Sequence, residues 1–180
     1  MKYQKGFTFF EVIISLLIIS ILATISASSW TNFIQKQRVR TATFQVMRIL
    51  SEVQLEAKRR KTSISVQFKT LDNIPYFSKY HHNDKPNWKP LLNEFGVKPR
   101  QIEVFGQLNN LTVTFNHIGA VSTSVPYTIK IAAPTRNADP SYRRCVVVWT
   151  LLGYKKIGTR FSECPTWKGA TPAKGKMIYF

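Results

Sequence analysis

Hydrophobic and polar positions divide the chain into three regimes. From Phe7 to Trp30 the residues are apolar or small all round, interrupted once by Glu11, and no side chain ionises between Val12 and Gln35. Beyond Lys36 the apolar residues Val39, Ala42, Val46, Ile49 or Leu50, Val53 and Ala57 recur at three- and four-residue steps. Lys36, Arg38, Arg40, Arg48, Glu52 and Lys58 fill the intervals, which is the pattern of a helix with one buried stripe. From Ile64 the period shortens to two: Ile64, Val66 and Phe68 alternate with Ser63, Ser65 and Gln67, as in a half-buried strand.

The first two regimes predict one helix. No Gly or Pro occurs between Gly6 and Pro75, so nothing local breaks it. From Thr8 to Arg60 it would be about 80 Å long, at about 1.5 Å per residue. Its first part exceeds the roughly 20 apolar residues a membrane crossing needs. That part requires lipid or other helices around it, and the amphipathic part requires a sheet to lie on. Lys58-Arg59-Arg60-Lys61 suits the carboxyl end of the helix dipole.

Alternation returns at Ile102-Glu103-Val104, at Leu111, Val113 and Phe115 before Gly119, at Tyr127, Ile129 and Ile131 before Pro134, at Cys145 to Trp149, and at Tyr154 to Thr159. Strands in succession separated by turn residues predict an antiparallel sheet. The stretch 71–100 carries Pro75, Pro86, Pro90 and Pro99 and reads as a loop-rich insertion, with one short helix over Leu91 to Phe95. The expected organisation is a leader at 1–6, an apolar helix half at 7–30, an amphipathic half at 31–61, a β-rich domain at 62–164 and a basic tail at 165–180. The class is α+β.

Composition adds a strong bias. Lys and Arg number 26 against 9 Asp and Glu, a net charge of +17, which favours polyanionic or acidic partners without bearing on fold. Loss of the first six residues would remove Lys2 and Lys5 and no acid. Catalysis is not expected, since no G-x-S-x-G, Walker loop, dinucleotide glycine pattern or H-E-x-x-H occurs. No cofactor or metal is expected either; His81-His82 near Asp84 reads as loop surface and His117 as a strand-end residue. In an exported chain the even pair Cys145 and Cys164 would form a disulfide closing a loop of about 20 residues, worth about 3 kcal/mol by chain entropy.

The N-terminus carries the sharpest signal. Two cations before an apolar run describe a signal peptide too, and Ala23, Ser26, Ala27 and Ser28 would supply a cleavage site. A discarded peptide has no use for Glu11, however, because a carboxylate in an apolar helix is costly and is kept for function. Gly6, Phe7, Thr8, Phe9, Phe10, Glu11 and Val12 resemble the processing site of type IV pilins and pseudopilins. That resemblance implies cleavage by prepilin peptidase after Gly6, methylation of Phe7, and assembly through Glu11 with other pilins or pseudopilins. It also implies a single-pass inner-membrane protein with a periplasmic domain, destined for a type IV pilus or a type II secretion pseudopilus. The alternative is an exported, membrane-anchored protein that joins no filament.

The rest of the chain resembles the GspH/FimT family of minor pilins and pseudopilins, through Val113-Thr114-Phe115 with Gly119 and through Arg144-Cys145-Val146-Val147-Val148 leading to Gly153. The family's Gly-Arg-x-Arg-like hairpin is here Gly153-Tyr154-Lys155-Lys156, so bidentate forks give way to point charges. The resemblance implies a long helix packed on an antiparallel sheet, and for some members DNA uptake through a basic C-terminal region. The matching candidates are Arg143, Arg144, Lys155, Lys156, Arg160, Lys168, Lys174 and Lys176, with Trp167 for stacking on bases. Such contact with duplex DNA would be sequence-independent and weakened by salt.

Overall fold

The computed structural model describes residues 8–72, 74–81, 84–92, 101–106, 111–135, 137–159, 163 and 164. One helix, α1, runs over Phe9–Arg60. Thr8 caps it: the Glu11 backbone N–H donates to Thr8 Oγ1 at 3.3 Å, in the Thr-x-x-Glu spacing of a capping box. The other end closes without glycine. Lys61 takes a left-handed φ of 52°, Lys61 N–H donates to Lys58 O and Thr62 N–H to Ala57 O, the paired bonds of a Schellman motif.

The chain forms two compact units, 1–35 and 36–180. In the first, Ile13, Ile14, Leu16, Leu17, Ile18, Ile19, Ile21 and Leu22 are all exposed. The helix consists of two straighter segments, Phe9–Thr24 and Ser29–Arg60. Among the described residues no single helix is long and apolar enough to cross a membrane, whereas that pair passes together by length and composition.

In the second unit every member of the expected stripe is buried: Val39, Ala42, Val46, Ile49, Leu50, Val53 and Ala57. They share one core with strands from two four-stranded antiparallel sheets. The strands are β1 (Ile64–Leu71), β2 (Ile74–His81), β3 (Lys89–Pro90), β4 (Glu103–Gly106), β5 (Leu111–Phe115), β6 (Tyr127–Ala132), β7 (Arg143–Val148) and β8 (Lys155–Gly158). One sheet has the order β3-β2-β1-β5 and the other β4-β6-β7-β8. Ile64, Val66 and Phe68 of β1 face inward beside Val113 and Phe115 of β5, and Ile129 and Ile131 of β6 meet them beside Val146 and Val148 of β7.

The loop-rich reading of 71–100 is corrected. Ile74–His81 is an eight-residue strand paired along its length with β1, and a tight turn at Asp72 joins them. Pro75 does not interrupt it, because a proline near a strand's start deletes a single donor and its own carbonyl still accepts from Leu91 N–H at 2.8 Å. Of the short helix expected over Leu91 to Phe95, Leu91 and Leu92 are described, as a buried turn, and the remainder lies outside the described residues.

Tyr127 sits in this core, and burial pushes its phenol up to about 12, against a smaller opposing pull from a hydrogen bond with the Thr112 backbone. A raised folded-state value means stability that is whole below pH 10 and is lost as pH climbs toward 12. Lys130 and Lys155 are lowered by burial, so they act in the opposite sense and only below the ordinary lysine value of 10.5. In urea denaturation of the detergent-solubilised chain, stability is expected to fall between pH 10 and 12, and Tyr127→Phe to flatten that fall.

Candidate functional site

Two regions hold the residues that the sequence singles out. At the N-terminus, Gly6 and Phe7 lie outside the described residues. Glu11 is exposed in the first turn of α1, where unpaired backbone N–H groups give the helix end its positive character. A carboxylate there is stabilised by the helix itself. It also stands close along the chain to where cleavage after Gly6 would create a new amine.

The second region is the hairpin of β7 and β8. Val148 pairs with Lys155 and Val147 with Lys156, so the two lysines point to opposite faces of their sheet. Lys155 turns toward the core. Its Nζ donates to Gln54 Oε1 and, at 3.2 Å, to Gly153 O, and it lies 5.5 Å from the centre of the Phe115 ring. Burial, and then the charge of Lys58, lower its pKa. The side chain braces the hairpin against α1. Lys156 is exposed on the outer face and pairs loosely with Glu163 at 3.9 Å, an arrangement that contributes little.

Arg143 and Arg144 divide between the faces in the same way, and Arg143 Nε donates to Ala138 O. Four of the nominated residues are therefore not one patch. Arg160, Trp167, Lys168, Lys174 and Lys176 lie outside the described residues. Cys145 and Cys164 form a disulfide with Cα atoms 5.9 Å apart. Gly158 is required beside it, since an added Cβ would stand 2.5 Å from Cys145 Sγ. Among the described residues, no group of three or more His, Cys, Asp or Glu is placed to hold a metal.

Residues that pattern did not single out organise the hairpin. Gln54 Nε2 donates to Gly119 O at 2.8 Å and to Leu152 O at 3.0 Å, tying the β5–β6 loop and the β7–β8 turn to α1. Gly119 and Gly153 both have left-handed φ, 78° and 79°. Gly119 was legible as a strand end and Gly153 as a turn, but a polar residue at helix position 54 carries no sign of its partners. Lys130, buried on the outer face of the second sheet, was equally silent.

With this geometry in place, comparison with known proteins places the chain. Residues 1–27 match the family model for the prokaryotic N-terminal methylation motif. The fold is similar to a crystal structure of the type IV minor pilin FimU of Pseudomonas aeruginosa, with 15% identity, a TM-score of 0.52, and coverage of 69% of this chain and 91% of that one. A second crystal form of FimU aligns over 66% of this chain and 90% of that one, at 14% identity and a TM-score of 0.48. No curated protein matches the sequence. The class is thus that of a chain bearing the prokaryotic N-terminal methylation motif. Its particular architecture, a long N-terminal helix followed by antiparallel sheets, is that of a type IV minor pilin.

Gly153 offers a direct check on the brace. An added Cβ would combine left-handed strain with a 2.4 Å approach to Gln54 Nε2. Gly153→Ala is expected to cost about 1–3 kcal/mol, read as a lowered denaturation midpoint.

Proposed function

We propose that the chain is a minor subunit of a type IV pilus or a type II secretion pseudopilus, held in the inner membrane before assembly with its domain in the periplasm. One observation carries this reading. The methylation motif over residues 1–27 opens on the same helix whose later part, from Val39, is buried in the core of the β domain, so cleavage after Gly6 would leave an apolar segment joined to a folded domain. Prepilin peptidase would cut after Gly6, and Phe7 would become the methylated N-terminus. In an apolar filament core Glu11 needs a cationic partner, because a carboxylate buried alone is strongly destabilising. The amine of Phe7 on a neighbouring subunit supplies that charge. The role is one of assembly, without catalysis.

Mass spectrometry of the mature chain is expected to show a methylated Phe7 as the first residue. An intact Met1, or cleavage near Ala27, would replace this reading with an exported anchored protein or a secreted one. Glu11→Ala is expected to be processed normally and to enter filaments poorly. Normal incorporation removes Glu11 from assembly.

A second reading, DNA contact, is favoured by exposed groups on the hairpin. Lys156 is 55% exposed, with Tyr154 two residues before it and Trp149 hydrogen-bonded across the turn to the Tyr154 carbonyl. Exposed rings beside a cation suit sequence-independent binding. Affinity for duplex DNA is expected to drop steeply with salt and to weaken in Lys156→Gln, while Lys155→Gln acts on stability first. Binding indifferent to salt would discard this site.

A further inference from the structure

The end of the β7–β8 hairpin and the neighbouring β5–β6 loop display aliphatic side chains to solvent. Ile118 is 61% exposed, Leu151 60% and Leu152 79%. They belong to one built surface. Val121 N–H donates to Leu151 O at 2.6 Å, and Gln54 grips both Gly119 O and Leu152 O, so the loop and the turn are locked side by side on α1. Large apolar side chains held together and exposed mark an interaction site, because leaving them wet wastes their burial energy.

The charge around this surface indicates what covers it. Lys58 lies over Gly119, where an added Cβ would stand 2.1 Å from its Cε. Lys155 stands beneath the turn and feels the charge of Lys58. Aliphatic tips offer no ring face for stacking on bases, so they suit a protein better than a nucleic acid. A second copy of this chain would set the same exposed Lys58 and, even without Lys2 and Lys5, a large positive excess against the first, which disfavours self-association.

We infer that Ile118, Leu151 and Leu152 form a docking face for a different pilin-type subunit, one presenting an apolar surface with a carboxylate rim that meets Lys58. This rests on the reading of the chain as a filament subunit. Contact of this kind places an apolar anchor at the centre and charge at the margin, where charge sets partner choice and encounter rate more than affinity.

The test replaces Leu152, in the full-length chain and in the cells that make it, with photoreactive p-benzoylphenylalanine. Filaments are sheared off after irradiation and their adducts identified by mass spectrometry; the exposed Asp84 carries the same probe as a control position. The expected product joins Leu152's position to a different pilin-type chain, on a peptide containing Asp or Glu, with no such product from position 84. Lys58→Glu is expected to lower its yield several-fold. An adduct to a second copy of this chain, to lipid or to DNA overturns the proposal, as does an unreacted probe on chains present in filaments. Absence of the chain from filaments while its N-terminus begins at Phe7 overturns the subunit reading, and the docking face with it.

Discussion

The domain depends on burying one stripe of α1. Val39, Ala42, Val46, Leu50, Val53 and Ala57 are the residues against which both sheets close, and Phe68, Phe115, Ile129 and Ile131 fill the space left between them. Among the described residues no other α-helix covers either sheet, so removal of this stripe would leave both inner faces wet. The helix is then committed twice over. Its later half is the floor of a core, while Ile13 to Leu22 of its earlier half remain uncovered within the chain. An apolar surface of that kind calls for lipid or other helices, which is why anchoring and assembly are natural uses for the same segment.

Much of this was legible in residue order, for identifiable reasons. A three-four period over Val39 to Ala57 has few interpretations, and the alternation Ile64, Val66, Phe68 admits one buried face. What escaped depends on partners distant in the chain. β2 has Pro75 and half-buried Tyr76 and Phe77 on successive positions, so its pattern lacks a clean period, and only its pairing with β1 makes it a strand. The separation into two sheets follows from β5 returning to β1 while β4 joins β6, a choice that alternation does not encode. The helix end was located by its cations, yet the stop itself is made by Lys61 in a conformation usually left to glycine.

The candidate basic site shows the same limit more sharply. Lys155 and Lys156 are adjacent in sequence and equal in charge, but register sends one inward to Gln54 and the other outward to solvent. Other cations are similarly occupied: Arg60 with Glu56 at 2.8 Å, Lys79 near Glu52 and Glu56, and Lys69 over the ring of Trp88 at 3.6 Å. Part of the positive excess is therefore internal carpentry, and a count of lysines overstates what a polyanion would meet.

The grip of Gln54 on the loop and the turn has a consequence for how such a surface can change over evolutionary time. Both hydrogen bonds go to main-chain carbonyls, of Gly119 and Leu152, and neither uses a displayed side chain. The scaffold therefore holds its tips in position whatever residues they carry. Ile118, Leu151 and Leu152 can be exchanged for others, and recognition redirected, without renegotiating the fold beneath, much as a fixed jaw accepts different teeth.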